Sequence, residues 1–355
     1  MTISNFKYTP FSLKLNIPFQ SSSQTITERN GFIIMVTDEL GNRSFGECSP
    51  LPGFSSETIE DAERILKGLQ HQIIGFSIEE NITAISELLS EFTLVPSLQF
   101  ALEQAMISLL CKRNSNFLSN NLKNTKSEID VNAVIGFGDE ENILNRIRNK
   151  FKNGYRTFKI KVGRDDFELD YNLIKNIQTE FGSTINIRLD ANRKWNCEIV
   201  EEYLERLSQY NVEYIEEPCN SLGSNLQLAQ SSIVPIALDE SISSFDDAVK
   251  VLNESIINFL ILKPMICGGI ISSLRIIRDA ERMEKNVIIS SSFESALGKS
   301  ALVLLAASTN HSFAHGLDTS ENFYKNICTD SYEVSNGKIV FDCKNYPPQF
   351  DFVLP

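Results

Sequence analysis

Apolar and polar positions along the first third of the chain change period several times. FSLKLNI (11–17) and GFIIMVTDE (31–39) carry β-rich apolar runs on either side of a polar connection, SSSQTITERN (21–30), which predicts a β-hairpin. GECSPLPGFSSET (46–58) predicts a loop, because Pro50, Pro52 and Gly53 oppose regular structure. Helical spacing follows over Glu57–Leu69 and again over Ser97–Cys111, where Leu98, Ala101, Leu102, Ala105 and Leu109 recur on one face. Residues 1–113 therefore read as an α+β capping domain.

Beyond NNLKNTKSEID (120–130) short β-rich runs alternate with amphipathic helical stretches, the signature of parallel strands joined by crossover helices. The runs are VNAVIG (131–136), TFKIKVG (157–163), INIRLDAN (185–192), VEYIEEP (212–218), PIALDES (235–241), FLILKPM (259–265), NVIISSSFES (286–295) and SFAHGLD (312–318). Eight such runs predict a TIM-type (β/α)7β barrel over 126–318. The tail, 319–355, is expected to return to the cap.

Composition narrows the partners. The 355 residues carry a formal charge of -13, which repels phosphate backbones and anionic lipid, so nucleic acid is not the expected ligand. Seven scattered cysteines without a C-x-x-C pair fit reduced thiols. The first twenty residues lack the apolar core of a signal peptide, and no stretch has the length of a membrane span. A soluble, cytoplasmic protein is expected, with its oligomeric state open.

Most strands end in charged or polar residues, and barrel enzymes place their chemistry at that rim. Strand two supplies Lys159 and Lys161, strand three Arg188, Asp190 and Asn192, strand four Glu216 and Glu217, strand five Asp239 and Glu240, and strand six Lys263. Alternation puts Lys159 and Lys161 on one face, and Arg188, Asp190 and Asn192 likewise. Asp190, Glu216 and Asp239 are each one βα unit apart, so the three acids arrive side by side. Three hard oxygen donors without His or Cys call for Mg²⁺, with Mn²⁺ as a substitute. Lys161 and Lys263 would flank that ion. A neighbouring ammonium, the ion and burial disfavour protonated Lys161 and suit it to act as a base. Two lysines and three acids sum to -1, or +1 with the ion, so the loaded site attracts a small anionic substrate. The chemistry this implies is removal of a proton beside a carboxylate.

KIKVG (159–163), RLDAN (188–192), EEP (216–218), DES (239–241) and KP (263–264), in this order and spacing, resemble the enolase superfamily in its muconate-lactonizing branch. A lysine base working with Mg²⁺ is the general chemistry of that superfamily. Within the branch, GECSPLPGFSSET, RLDANRKW, IEEPC, SSSFESALG and GLDT are most similar to the o-succinylbenzoate synthase family. The resemblance implies Lys161 as base, Lys263 as the lysine that stabilises the enediolate, and Asp190, Glu216 and Asp239 as metal ligands. It also implies dehydration of 2-succinyl-6-hydroxy-2,4-cyclohexadiene-1-carboxylate in menaquinone biosynthesis. The serines of SSSFES and the loops 21–30 and 49–56 would then close over the succinyl group. Related dipeptide epimerases carry Asp-x-Asp at strand eight, where this chain has Gly316, Leu317 and Asp318; N-succinylamino acid racemase and dipeptide epimerase are the alternative activities.

Other roles compete for these residues. Strand-end charges often form plain surface ion pairs. Lys159, Arg188 and Asn192 are substrate-binding candidates or structural in equal measure, and Ser291, Ser292 and Glu294 are further substrate-binding candidates. Glu217 and Glu240 alternate away from the ligand face. His311, His315 and Trp195 are expected in structural roles. A Schiff-base enzyme using Lys161 or Lys263 has no use for three acidic strand ends, and a non-catalytic barrel would tolerate loss of Lys161.

Overall fold

A computed structural model describes residues 1–20, 25–122 and 125–352. Strands β1 (Ile3–Gln20), β2 (Thr25–Asp38) and β3 (Arg43–Cys48) form an antiparallel sheet. The hairpin is longer than the apolar runs suggest, for Thr25–Asn30 already belong to β2; residues 21–24 of its connection lie outside the described residues. β3 takes the first three residues of the expected 46–58 loop. Its pattern is disguised because polar residues are buried with partners: Ser44 Oγ donates to Ala105 O at 2.6 Å, and Glu47 N donates to Gln104 Oε1 at 3.0 Å.

Helices α1 (Ile59–Gln72), α2 (Ile82–Ser90), α3 (Pro96–Arg113) and α4 (Phe117–Asn121) complete this part. The sequence pattern did not anticipate α2. Helix α3 is buried along nearly its whole length, held between the sheet and the barrel. A Cβ on Gly46 would lie 1.9 Å from Ala101 O, so β3 and α3 pack backbone to backbone and glycine is required there.

β4 (Glu128–Asp130) precedes the barrel strands β5 (Ala133–Ile135), β6 (Thr157–Lys161), β7 (Asn186–Asp190), β8 (Val212–Glu216), β9 (Ile236–Leu238), β10 (Phe259–Leu262) and β11 (Asn286–Ile289). These seven pair in chain order, all parallel. The crossovers are α5 (Glu140–Lys152), α6 (Phe167–Phe181), α7 (Val200–Leu207), α8 (Leu222–Ala229), α9 (Phe245–Leu252) and α10 (Ile270–Arg282), with α11 (Ala296–Ala307) after β11. The eighth run enters the ring at two residues: His315 bridges Val131 and Gly316 bridges Ser290, both in the parallel sense. The barrel is thus seven strands closed by a short eighth segment.

The tail touches both parts. β12 (Lys338–Val340) pairs with β4, Leu15 bridges Phe323, and the Phe352 ring lies 4.6 Å from that of Phe45. Among the described residues no helix is long and apolar enough to cross a membrane.

Candidate active site

Strand β6, TFKIK, turns Phe158 and Ile160 toward the packed core, which leaves Lys159 and Lys161 on the other face. Parallel register sets Lys161 beside Asp190 and Asp190 beside Glu216. Asp239 and Lys263 immediately follow β9 and β10.

The side chains meet as ion pairs. Asp190 Oδ2 accepts from Lys161 Nζ at 2.7 Å and lies 2.9 Å from Lys159 Nζ. Lys159 also donates to Glu216, and Lys161 to Asn192 Oδ1. Lys263 Nζ donates to both oxygens of Asp239, at 2.6 and 2.7 Å. Asn192 Nδ2 donates to Glu240 Oε1 at 2.8 Å. Asn192, Arg193 and Glu217 hold positive φ angles of 42°, 63° and 39°, a concentration of backbone strain at this rim.

These acids and amines are taken from water, and their proton affinities show it. Burial alone would raise the Asp190 pKa, yet Lys159 and Lys161 hold it well below the ordinary carboxylate range. Glu216 goes the other way: burial, with repulsion from Asp190 and Asp239, pushes it up to about 7 although Lys159 opposes the shift. Burial favours a neutral Lys159, but Asp190, Glu216 and Asp239 together keep its ammonium form strongly favoured. Lys263 is likewise raised against burial, by Asp239 and Glu240.

Asp190 and Glu216 both pair with the Lys159 ammonium, Asp239 pairs with Lys263, and the acids still repel one another. Among the described residues no three His, Cys, Asp or Glu side chains stand grouped as a ready-made metal site, because lysines bridge these acids. The donor chemistry nonetheless fits a hard divalent ion. Three buried carboxylates stand at the ends of adjacent strands, and burial with the repulsion of Asp190 and Asp239 keeps Glu216 raised even with three lysines among them.

The other candidates divide. Arg188 is fully buried deeper in the barrel. It binds Glu213, the Asn132 Oδ1 at 3.1 Å and the Ala314 carbonyl at 2.7 Å, and its guanidinium lies 4.8 Å from the Tyr214 ring. Two residues along a strand shift a side chain by about 6.6 Å, so sharing a face with Asp190 does not bring Arg188 to the mouth. As a substrate contact it is corrected to an internal strut. Asn192, by contrast, joins Lys161 to Glu240. That overturns the placing of Glu240 away from the site: β9 ends at Leu238, and strand alternation no longer applies beyond it.

Glu217 is a structural clamp, accepting from Asn225 Nδ2 at 2.9 Å, Asp239 N at 3.1 Å and Ser241 N at 2.7 Å. Ser291 Oγ and Ser292 N both donate to Glu294 Oε2, at 2.6 and 2.7 Å. Glu294 Oε1 and Ser292 Oγ are buried and find no hydrogen-bond partner among the described residues. Trp195 packs edge-on to Phe167 and Tyr203. His315 is buried and His311 half-buried, both near Arg188. Phe54 carries no signal of a site role in its residue type, yet its ring, within the proline-rich loop 46–58, lies 5.2 Å from Lys263 Nζ. A separate groove of about 350 Å³ opens at the opposite end of the barrel, lined by Thr157, Asn186, Glu213 and Ala314.

Residues 142–344 match the family model described as enolase C-terminal domain-like, and residues 5–109 match that of the MenC N-terminal domain. The chain is 27% identical over 310 residues to o-succinylbenzoate synthase of Aliivibrio fischeri, covering 86% of this chain and 87% of that protein. It is 24% identical over 324 residues to L-Ala-D/L-Glu epimerase of Francisella tularensis subsp. novicida, covering 90% and 89%. Its fold matches that of the dipeptide epimerase from Enterococcus faecalis, solved with Mg and L-Leu-L-Tyr, at a TM-score of 0.86 and 23% identity, covering 96% and 98%. With more than half its length matched by the first model, the chain belongs to the enolase C-terminal domain-like family, within the enolase superfamily.

Proposed function

We propose that this protein is an o-succinylbenzoate synthase, a lyase that dehydrates 2-succinyl-6-hydroxy-2,4-cyclohexadiene-1-carboxylate in menaquinone biosynthesis. Proton removal beside a carboxylate is supported by the paired lysines and acids at the mouth. The choice of synthase is supported by the match of the cap to the MenC N-terminal domain. The observation that carries it against an epimerase is at strand eight. Asp318 there is already paired with Lys150 Nζ at 2.8 Å, and the chain has Gly316 where the resemblance would place the other acid of an epimerase's Asp-x-Asp.

In this reading Asp190, Glu216 and Asp239 would hold Mg²⁺, or Mn²⁺ in its place. When bound, the ion would supply positive charge for the substrate carboxylate as its neighbouring carbon loses a proton. Lys161, once freed of its proton and of its pair with Asp190, accepts the proton from that carbon. It then returns it to the departing hydroxyl, so that water leaves and the ring becomes aromatic. Lys263 stays an ammonium, fixed by Asp239, and faces the charge that develops. The cap and its Phe54 shield this step from water.

A second reading, racemisation of N-succinylamino acids or epimerisation of dipeptides, is favoured by the epimerase relative, which matches as fully as the synthases do. The deciding experiment gives the purified protein the synthase substrate, an N-succinylamino acid and a dipeptide in turn, each with Mg²⁺ and with EDTA. The proposal expects rapid, EDTA-sensitive formation of the aromatic product. Folded, Mg²⁺-supplied protein that leaves the synthase substrate untouched would overturn it.

A further inference from the structure

A buried guanidinium is costly unless its donors are satisfied. Arg29, on β2, is 1% exposed at the junction of cap and barrel. Its hydrogen bonds go to main-chain carbonyls: Nη1 to Pro50 at 2.8 Å, Nη2 to Ser49 at 2.5 Å and Nε to Phe293 at 3.3 Å. Two of these belong to the cap loop and the third to the barrel turn after β11. Glu294 and Glu47 lie near enough to favour the charge, although burial draws the Arg29 pKa down to about 10.

The turn that Arg29 grips is unusual. Phe293 holds a φ of 61°, a left-handed conformation that a phenylalanine adopts only when its surroundings impose it. The Phe293 ring lies 4.7 Å from that of Phe19 on β1, and Phe19 lies 6.2 Å from Phe54. The Phe54 ring is the one set against Lys263. Contacts thus run without a break from the guanidinium, through two loops and three rings, to a lysine of the mouth.

We propose that Arg29 is a positioning residue: it fastens the cap loop at Ser49 and Pro50 to the barrel turn at Phe293, and so keeps Phe54 seated over Lys263. A planar fork reaches three carbonyls in different directions, which a lysine ammonium of equal charge cannot reproduce. The kinetic part of this inference rests on the synthase reading; the fastening itself does not.

The test compares the full-length protein with its Arg29→Lys variant. Amide exchange should quicken about tenfold within residues 49–56 and 291–295 and stay unchanged in α6 and α10. With the synthase substrate, KM should rise about tenfold and kcat should change less than about threefold. Phe54→Leu should raise KM similarly, and the double variant should be no worse than either single one, since both interrupt one chain of contacts. Unchanged exchange at 49–56, or KM effects that simply add, would overturn the inference. If the unaltered protein does not turn over the synthase substrate, the synthase reading fails, and the exchange result alone decides the fastening. If Arg29→Lys does not fold, Phe293→Gly takes its place: it keeps the carbonyl, suits the left-handed backbone and removes the ring. It should raise KM without adding to the effect of Phe54→Leu, and an unchanged KM would overturn the inference.

Discussion

The two ends of the barrel bury charge in opposite ways on the same strands. On β7, Asp190 faces the mouth, where three acids and three lysines crowd together and Glu216 is pushed up to about 7. Two residues earlier, Arg188 faces the closed end, with Glu213, Asn132 and the Ala314 carbonyl around it and two uncharged histidines nearby. The mouth packs three ammonium groups among three carboxylates, and the acids still repel one another enough to raise Glu216. The closed end pairs Arg188 directly with Glu213 and the Ala314 carbonyl, although among the described residues Arg188 Nη2, Asn132 Nδ2 and Tyr214 Oη are buried without a partner.

The sharpest way to break this contrast is at Lys161. Lys161→Ala should lower turnover by about 10²- to 10⁴-fold, the usual worth of a positioned base, while the melting temperature stays close to that of the unaltered protein. Asp190→Asn should weaken Mg²⁺ binding, read by calorimetry, because a ligand loses its charge. Should Lys161→Ala instead unfold the protein and leave turnover per folded molecule intact, the mouth would be no less structural than the closed end.

Arg188→Met is the complementary test. Removing one partner of a buried pair leaves Glu213 short of its counter-charge, which costs about 3 kcal/mol of stability in denaturant titration. KM and kcat of the folded fraction should be unchanged. A large fall in kcat with stability preserved would restore Arg188 to the substrate site.

The contrast also marks what the chain discloses on reading. Seven of the eight β-rich runs are legible because each is short, apolar and followed by a helix of its own, and the acids because one arrives per βα unit. Height along a strand is less legible, since alternation reports the face and not the depth; Arg188 and Asp190 look alike on paper for that reason. Glu240 is obscured by the end of β9 one residue before Asp239. Arg29 and Glu47 could not be paired from sequence at all. Their partners Phe293 and Ser295 lie 264 and 248 residues away, and only docking of cap on barrel joins them. Strand β3 hides for a related cause, as its buried polar residues find partners in α3 that no local pattern records.

The smallest expected effect concerns acid, and it probes the closed end alone. His311 Nε2 donates to the Val287 carbonyl at 2.9 Å and Nδ1 accepts from Phe313 N at 3.2 Å, so the neutral ring uses both nitrogens. A second proton on Nδ1 would sever the bond from Phe313 and place a charge beside Lys126 and Arg188. Burial first, and those cations after it, bring the His311 pKa down to about 4. Between pH 6.5 and 4 the unfolded chain therefore binds a proton that the folded chain refuses. Stability from this residue is whole above 6.5 and drains away as pH falls toward 4, by up to about 3 kcal/mol. His311→Gln cannot titrate, so its stability should fall less than that of the unaltered protein between pH 7.5 and 4.5, measured by urea unfolding at both. Equal losses in the two proteins would mean that the closed end answers to acid through groups other than His311.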